Sequence, residues 1–253
     1  MKSNKRSQVL TQEQLIQSKQ RILNDKTPYA FKEAYVRLRT NMMFGLAAGE
    51  ETGCKVISIT SPNPGEGKTT TALNVAISFA MLGKKTLLID ADMRRPQVNR
   101  LLGVSSQDGL SNLLAGVGEC YINTIEEYSL DFITSGKNPP NPAELLSANI
   151  ASKLEKLKAQ YDYIIIDTPP VNSVADAQII APHADGIAIV VHMGTTKAPE
   201  LMHAEDVLIN SGGKIIGIIA NDMELKSKSY GRYGRSYYGR SYYGIPSDSE
   251  DNK

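Results

Sequence analysis

The fold is decided by one stretch, Lys55-Val56-Ile57-Ser58-Ile59-Thr60-Ser61-Pro62-Asn63-Pro64-Gly65-Glu66-Gly67-Lys68-Thr69-Thr70-Thr71. Its β-branched residues predict a buried strand that ends near Thr60. Gly65 and Gly67 then allow a tight turn and a close approach of the backbone to a ligand, because neither carries a Cβ. A helix is predicted to begin near Lys68. A strand, a glycine turn and a helix in this order are the context that a phosphate-binding loop requires.

The chemistry of this loop suits a polyphosphate. The first N–H groups of the predicted helix are unpaired, and together with the helix dipole and the Lys68 ammonium they favour an anion at one place. The Thr69 hydroxyl lies where it can bind Mg²⁺. The general pattern G-x-x-x-x-G-K-[ST] has a glycine where this chain has Pro62, but its core is intact. The residues predicted to bind the nucleotide here are Pro64, Gly65, Glu66, Gly67, Lys68, Thr69 and Thr70.

Apolar strands alternate with helical segments through the rest of the chain. Further strands are predicted over residues 86–90, 130–134, 163–167, 187–191 and 215–219, and a helix over 29–47 is predicted to start at Thr27-Pro28. The stretch between Pro96 and Asp108 is predicted to be irregular. Strands that are apolar throughout indicate a parallel sheet buried on both faces. The predicted fold is therefore α/β, of the P-loop NTPase type, with a mostly parallel sheet and helices on both faces.

Three carboxylates follow two of these strands. Ligands of such sheets bind at the carboxyl ends of the strands, where Asp90, Asp92 and Asp167 are predicted to lie near the loop. Together with Thr69 they are the predicted Mg²⁺ ligands and, with Lys68, the predicted catalytic residues. Each aspartate taken alone could instead cap a turn. Asp90 is the candidate that accepts a proton from an incoming hydroxyl, although it could equally help to place the metal.

Arg94 and Arg95 come directly after these carboxylates. They could stabilise the charge of a phosphate, or they could form salt bridges at the surface. The sequence leaves both interpretations open.

Composition excludes some function classes. The 28 basic and 27 acidic residues nearly balance, giving a formal net charge of +1, so bulk charge does not suggest a nucleic-acid partner. No apolar run approaches the ~20 residues that span a bilayer. The charged N-terminus lacks the apolar region of a signal peptide. The expected location is the cytoplasm, with any membrane association supplied by a partner.

The two ends of the chain differ in composition from its middle. Residues 1–27 are polar and predict a flexible segment, residues 28–225 form the predicted ATP-binding domain, and residues 226–253 are low-complexity and predict a disordered tail. This tail could be a solvated linker, a weak binder of anionic surfaces or RNA, or a substrate that reaches the ATP site of a neighbouring subunit. It carries six tyrosines, Tyr230, Tyr233, Tyr237, Tyr238, Tyr242 and Tyr243.

The combined motifs resemble the bacterial tyrosine kinases of capsule and exopolysaccharide synthesis, the CpsD/CapB-like group, whose fold is akin to that of the MinD/ParA ATPases. The resemblance runs from about Thr27 to the tyrosine tail. It rests on a Walker A motif over 61–70, a Walker A′ motif over 87–94, a Walker B motif over 164–170 and the tail.

This resemblance implies a tyrosine kinase that uses Mg·ATP and autophosphorylates its tail, one subunit modifying the next in a ring. It also implies a membrane adaptor of the polysaccharide co-polymerase type, a counteracting tyrosine phosphatase and a role in polysaccharide synthesis and export. The adaptor would recruit the kinase to the inner face of the membrane. Asn221 resembles a position that contacts the nucleotide base.

Two departures from the family pattern concern assembly and mechanism. The ring-forming helix motif Glu-x-x-Arg-x-x-Arg is matched by Glu33 and Arg39, whereas Val36 replaces the middle arginine and Arg37 follows it. One position rotates a helical residue by about 100°, so Arg37 points elsewhere on the helix. These three charged residues are nevertheless the predicted subunit interface. The signature lysine of MinD/ParA ATPases would fall at Asn63, and its absence favours the kinase branch.

Three functions therefore compete. The first is an autophosphorylating tyrosine kinase. The second is a MinD/ParA-like ATPase switch that positions a membrane partner without modifying tyrosine. The third is a regulatory subunit that binds nucleotide with little turnover.

Overall fold

The computed structural model describes residues 22–47, 53–117 and 122–221. These residues form one seven-stranded sheet of order β3-β4-β2-β5-β1-β6-β7, in which β3 runs antiparallel to β4 and the other pairs are parallel. The strands are β1 (Lys55–Thr60), β2 (Thr86–Asp90), β3 (Asn123–Ile125), β4 (Leu130–Ile133), β5 (Tyr163–Asp167), β6 (Gly186–His192) and β7 (Ile215–Asn221).

Helices cover both faces of this sheet, as predicted. They are α1 (Tyr29–Leu46), α2 (Lys68–Ala80), α3 (Val98–Leu102), α4 (Leu110–Ala115), α5 (Pro142–Lys158), α6 (Asp176–Ile180) and α7 (Ala198–Asn210), with single 3₁₀ turns at Glu126–Tyr128 and Ala181–His183. The mostly parallel α/β fold expected from the sequence is confirmed.

The central strands are buried because alternate side chains enter two different cores. Ile57, Leu88 and Ile165 face α1 and α2, whereas the neighbouring side chains of the same strands pack against α4 and α5. Nearly every residue of α2 is buried, so the helix that follows the phosphate loop runs through the middle of the molecule. The loop is thereby anchored on a buried strand and a buried helix.

The N-terminal boundary differs from the prediction. The predicted flexible segment runs to residue 27, but Leu23 is buried and its N–H donates to Asn74 Oδ1 on α2 over 2.7 Å. Helix α1 begins at Tyr29, and Thr27 does not cap it. The Thr27 hydroxyl instead accepts the Asn24 N–H over 2.8 Å, closing a turn before the helix.

Two short elements escaped the sequence prediction. The stretch predicted to be irregular contains α3, which has five residues, and β3 has only three. Neither is long enough to show a hydrophobic period. In the part of the chain that the structure describes, no helix has the length and apolar character to cross a bilayer. The six tail tyrosines lie outside the described residues.

Candidate active site

The phosphate loop joins β1 to α2 at the carboxyl edge of the sheet. Gly65 and Gly67 adopt φ angles of 86° and 88°, which L-residues with a side chain avoid. A Cβ on Gly67 would lie 2.0 Å from Asn221 Nδ2. No side chain caps the start of α2, so its first N–H groups face the loop as the sequence predicted. The backbone thus forms a positively polarised cradle.

Asn221 lies against this cradle from the end of β7. Its side-chain amide donates to the Glu66 carbonyl over 3.0 Å. The asparagine predicted to contact the base therefore lies beside the loop, on the β7 side of it.

The Glu66 side chain stabilises the loop through hydrogen bonds on the side away from the cavity. It is buried, and its carboxylate accepts the Asn63 N–H over 2.9 Å and the Thr196 hydroxyl over 2.5 Å. The Asn63 amide also donates to Glu200 Oε2 over 2.9 Å, which ties the loop to the start of α7. The part of Glu66 left for a nucleotide is its backbone N–H. Sequence reasoning missed Thr196 and Glu200, because nothing in the local pattern connects them with the loop.

Lys68 forms ion pairs with two of the predicted carboxylates. Its Nζ lies 3.1 Å from Asp92 Oδ2 and 3.4 Å from Asp167 Oδ1, and it also lies 3.3 Å from the Thr69 hydroxyl. Burial by itself lowers the pKa of Lys68, but the charges of Asp167 and Asp92 outweigh it and hold the pKa above its ordinary value. The ammonium is the positive charge that keeps these acids together.

Asp167 is fully buried at the end of β5. Burial raises its pKa, although the Lys68 charge and a hydrogen bond with Thr69 oppose this. Its Oδ2 atom is buried without a hydrogen-bond partner among the described residues. An unpartnered carboxylate oxygen next to a hydroxyl is suited to a hard cation.

Asp90 is the register partner of Asp167 on the adjacent strand. Both of its carboxylate oxygens accept backbone N–H groups over 3.1 Å, one from Asp92 and one from Val98 at the start of α3. Burial raises the pKa of Asp90 to about 8, with a further contribution from the Asp167 charge. The geometry therefore fits the alternative in which Asp90 shapes the segment that carries Asp92.

The two arginines have different surroundings. Arg94 forms a bidentate ion pair with the buried Asp176, with Nε and one terminal nitrogen each 3.0 Å from a carboxylate oxygen. Arg95 is exposed, and among the described residues it makes no ion pair. The salt-bridge interpretation thus fits Arg94. Arg95 lines the mouth of the site without an ion-pair partner among the described residues.

A cavity of about 570 Å³ joins these groups. The phosphate end is lined by Pro64, Gly65, Gly67, Lys68, Thr69, Thr70 and Asp92. Four predicted site residues do not line it: Glu66, Asp90, Asn221 and Asp167, which lies buried behind Lys68. No three His, Cys, Asp or Glu side chains in the described ranges form a ready metal cluster. Mg²⁺ does not require such a cluster, because it binds through one or two carboxylates together with substrate phosphates.

The predicted interface residues lie together on α1, away from this cavity. Glu33 is half-buried and Arg37 is exposed. Arg39 instead turns inward, and its guanidinium donates to the Ser78 carbonyl and hydroxyl near the end of α2.

Comparison with known proteins decides the family. A family model described as an AAA domain matches residues 54–206. Tyrosine-protein kinase YwqD of Bacillus subtilis (strain 168) is 42% identical over 206 residues, which cover 80% of this chain and 86% of that protein. The putative tyrosine-protein kinase CapB of Staphylococcus aureus is 35% identical over 216 residues, or 83% and 93% of the two chains. The chain belongs to the CpsD/CapB family of tyrosine-protein kinases.

Solved structures of this kinase family agree. The kinase domain of Escherichia coli tyrosine kinase ETK superposes with a TM-score of 0.73 at 34% identity and covers 80% of each chain. The chimerical protein CapA2B2 gives 0.71 at 36% identity, covering 78% of this chain and 86% of that one. The MinD protein of Pyrococcus horikoshii gives 0.56 at 24% identity, a likeness of fold alone. The kinase interpretation is confirmed over the MinD/ParA-like switch.

Proposed function

We propose that this kinase transfers the γ-phosphoryl group of ATP to the tyrosines of its own tail, from one subunit to the next. The observation that carries the proposal is the Lys68–Asp92–Asp167 cluster beside an uncapped helix start, in a chain that also carries Tyr230, Tyr233, Tyr237, Tyr238, Tyr242 and Tyr243. Phosphoryl transfer needs positioning and charge stabilisation more than covalent chemistry, and this cluster supplies both.

The nucleotide would lie along the loop. Backbone N–H groups from Gly65 to Thr70 would bind the β- and γ-phosphates, with Lys68 moving from the carboxylates to the phosphates. Asn221, on the β7 side, would contact the base. Two neighbours that share this fold, one solved with ATP and the other with an ATP analogue and magnesium, support the use of a nucleotide and magnesium.

The residues present fit a magnesium ion. Thr69 Oγ1, an Asp92 oxygen and the unpartnered Asp167 Oδ2 are the oxygen donors that we assign to it, with Asp90 holding the Asp92 segment from behind. When bound, Mg²⁺ neutralises phosphate charge that develops during transfer.

In the proposed reaction one P–O bond forms, another breaks, and a carboxylate of the site accepts the proton of the tyrosine. The tyrosine oxygen bonds to the γ-phosphorus, the bond to the β–γ bridging oxygen breaks, and ADP leaves with that electron pair. The phenolic proton passes to Asp92, because its carboxylate lines the cavity whereas that of Asp90 does not.

Assembly and cellular role extend this proposal. Subunits would associate in a ring through α1, with Glu33 and Arg37 at the contact and Arg39 holding the helix against α2. A membrane adaptor of the polysaccharide co-polymerase type would recruit the kinase from the cytoplasm to the inner face of the membrane. The chimerical CapA2B2 structure, which joins parts of two proteins, supports such an adaptor. A tyrosine phosphatase would reverse the modification, and the pathway would be capsular or exopolysaccharide synthesis and export.

Intact mass after incubation with Mg·ATP tests the proposal. Wild-type chain should gain several phosphates that map to residues 230–243, with and without the cytosolic part of an adaptor compared side by side. The Lys68→Met variant should gain none. No added mass in wild type under either condition, with ATP still hydrolysed, contradicts the proposal.

A further inference from the structure

The cavity continues beyond the phosphate loop, and its far end is built differently. One side of this end is formed by the loop between β2 and α3 together with α3 itself, and the other side by the loop between β5 and α6. We call it the acceptor wall, defined by Gln97, Leu101, Pro169, Pro170, Ser173 and Val174. None of these side chains is charged, in contrast with the phosphate end.

The sheet order fixes which end of a nucleotide faces this wall. The loop follows β1, Asn221 ends β7 on one side of it, and Asp167 and Asp92 follow β5 and β2 on the other side. A phosphate chain that starts from a base near Asn221 therefore runs towards these two aspartates. Its terminal phosphate points at the acceptor wall, which is where a phosphoryl acceptor must approach.

The wall is apolar where a ring would lie. Leu101 and Val174 are half-buried, and Pro169 and Pro170, which also line the cavity, are buried. A tyrosine presents an apolar ring and one polar atom, so it can bury its face on such a wall while its hydroxyl reaches the charged end. A serine or threonine has no ring to fill this space.

One ion pair joins the two sides of the wall, and a hydrogen bond fixes the start of α3 within one of them. The Arg94–Asp176 pair joins the segment before α3 to the first residue of α6. Asp90 accepts the N–H of Val98 at the start of α3, one turn before Leu101. The wall is thus braced from both sides, as a site that aligns a substrate must be.

We propose that Leu101 and Val174 receive the aromatic ring of the acceptor tyrosine and make the kinase specific for tyrosine. This rests on the proposed function and deepens it. Arg95 stands at the mouth of the same cavity with its charge unpaired among the described residues, and it would contact the chain that carries the tyrosine.

The test separates the enzyme from the acceptor. The acceptor is the full chain carrying Lys68→Met, which keeps its tail and cannot modify itself; the enzyme is the full chain with the wall intact or changed. The transfer rate is measured against acceptor concentration for wild type, Val174→Ser and Val174→Phe. Nucleotide affinity is measured on each enzyme in parallel.

Val174→Ser should raise the KM for the acceptor about tenfold, equivalent to about 1.4 kcal/mol, with nucleotide affinity within about twofold of wild type. Val174→Phe should block transfer by filling the space of the ring. The matched control is Val104→Ser, because Val104 is exposed just after α3 and does not line the cavity.

The outcomes distinguish the two levels of proposal. If wild type transfers phosphate and both Val174 variants keep the wild-type KM, the acceptor wall is wrong and the kinase proposal stands. If wild type transfers no phosphate to the acceptor or to itself, the kinase proposal is wrong, and the acceptor-wall proposal, which rests on it, is wrong too. A joint loss of acceptor KM and nucleotide affinity in Val174→Ser also contradicts the wall, because it indicates a general distortion.

Discussion

The Asn221 side chain closes on the phosphate loop so tightly that Gly67 has no room for a side chain. Asn221 Nδ2 donates to the Glu66 carbonyl over 3.0 Å, and a Cβ on Gly67 would lie 2.0 Å from that same nitrogen. Strand β7, at the edge of the sheet, thereby fixes the shape of a loop that follows the central strand β1. The nucleotide cradle thus depends on a contact between residues far apart in sequence.

Gly67→Ala should therefore disrupt nucleotide binding. The methyl group must displace Asn221, and the residue must also hold a φ of 88°, which costs an L-residue about 1–2 kcal/mol. We expect nucleotide affinity to fall by more than about tenfold, measured by titration with a fluorescent ATP analogue. The control is Gly83→Ala, at a φ of 78° with open space around it. It should lose stability but keep wild-type affinity; equal affinity losses in both variants would show that strain alone is responsible.

The raised pKa of Asp90 predicts a pH-dependent stability. Between its ordinary value of 3.8 and its folded value of about 8, the folded state holds a proton that the unfolded state has released. The contribution of Asp90 is therefore fully present below about pH 4 and is lost as the pH rises towards 8, by up to about 1.4 kcal/mol per pH unit.

Asp90→Asn should flatten this dependence. Urea unfolding of the ligand-free protein at several pH values between 4 and 8 measures the slope directly. The exposed Asp206→Asn should keep the wild-type slope, since Asp206 lies on the outer side of α7. A slope in Asp90→Asn as steep as in wild type would assign the titration to another group.

Much of this architecture follows from local sequence. Lys68, Asp92 and Asp167 could be grouped in advance, because each lies at a loop that the parallel-sheet rule places at one edge. The roles of Asp90 and Glu66 could not, because their hydrogen bonds run to Val98 and Thr196, in segments without a motif. The choice between Arg94 and Arg95 likewise required Asp176, which only folding brings near.

Two arginines on helix α1 have different predicted roles, one in the stability of the monomer and the other in subunit association. The guanidinium of Arg39 donates to Ser78 on α2, whereas Arg37 is exposed. Arg39→Ala should therefore destabilise even a monomer. A charged hydrogen bond contributes about 1.5–3 kcal/mol, and its loss from a domain of this size lowers Tm by roughly 3–12 °C.

The matched variant is Arg37→Ala, which should leave the Tm of the monomer within about 2 °C of wild type. If Arg37 belongs to the subunit interface, light scattering should show weaker association of this variant. Thermal unfolding is measured at a concentration where light scattering reports monomers. Equal Tm values for Arg39→Ala and Arg37→Ala would contradict the inward role of Arg39.

The hydrogen bond between the Leu23 N–H and Asn74 predicts a local change in stability when Asn74 is replaced, and this change can be measured at the Leu23 amide. It is completely buried on α2, its Oδ1 accepts the Leu23 N–H over 2.7 Å, and its Nδ2 donates to the Tyr35 hydroxyl over 3.1 Å. Asn74→Leu replaces the amide with an apolar side chain of the same branched shape, and it leaves the Leu23 N–H without its acceptor, at a cost of about 1–3 kcal/mol.

Because this cost falls on the segment before α1, the segment should open before the rest of the domain does. Hydrogen exchange at Leu23 should therefore be about tenfold faster or more in Asn74→Leu than in wild type. Exchange of amides in the central strand β5 should change only as much as the global free energy of unfolding changes. Asn210→Leu, at the exposed end of α7, is the control and should leave Leu23 unchanged. Exchange at Leu23 that matches wild type would mean that hydrophobic burial alone fixes the N-terminal segment to the phosphate-loop helix.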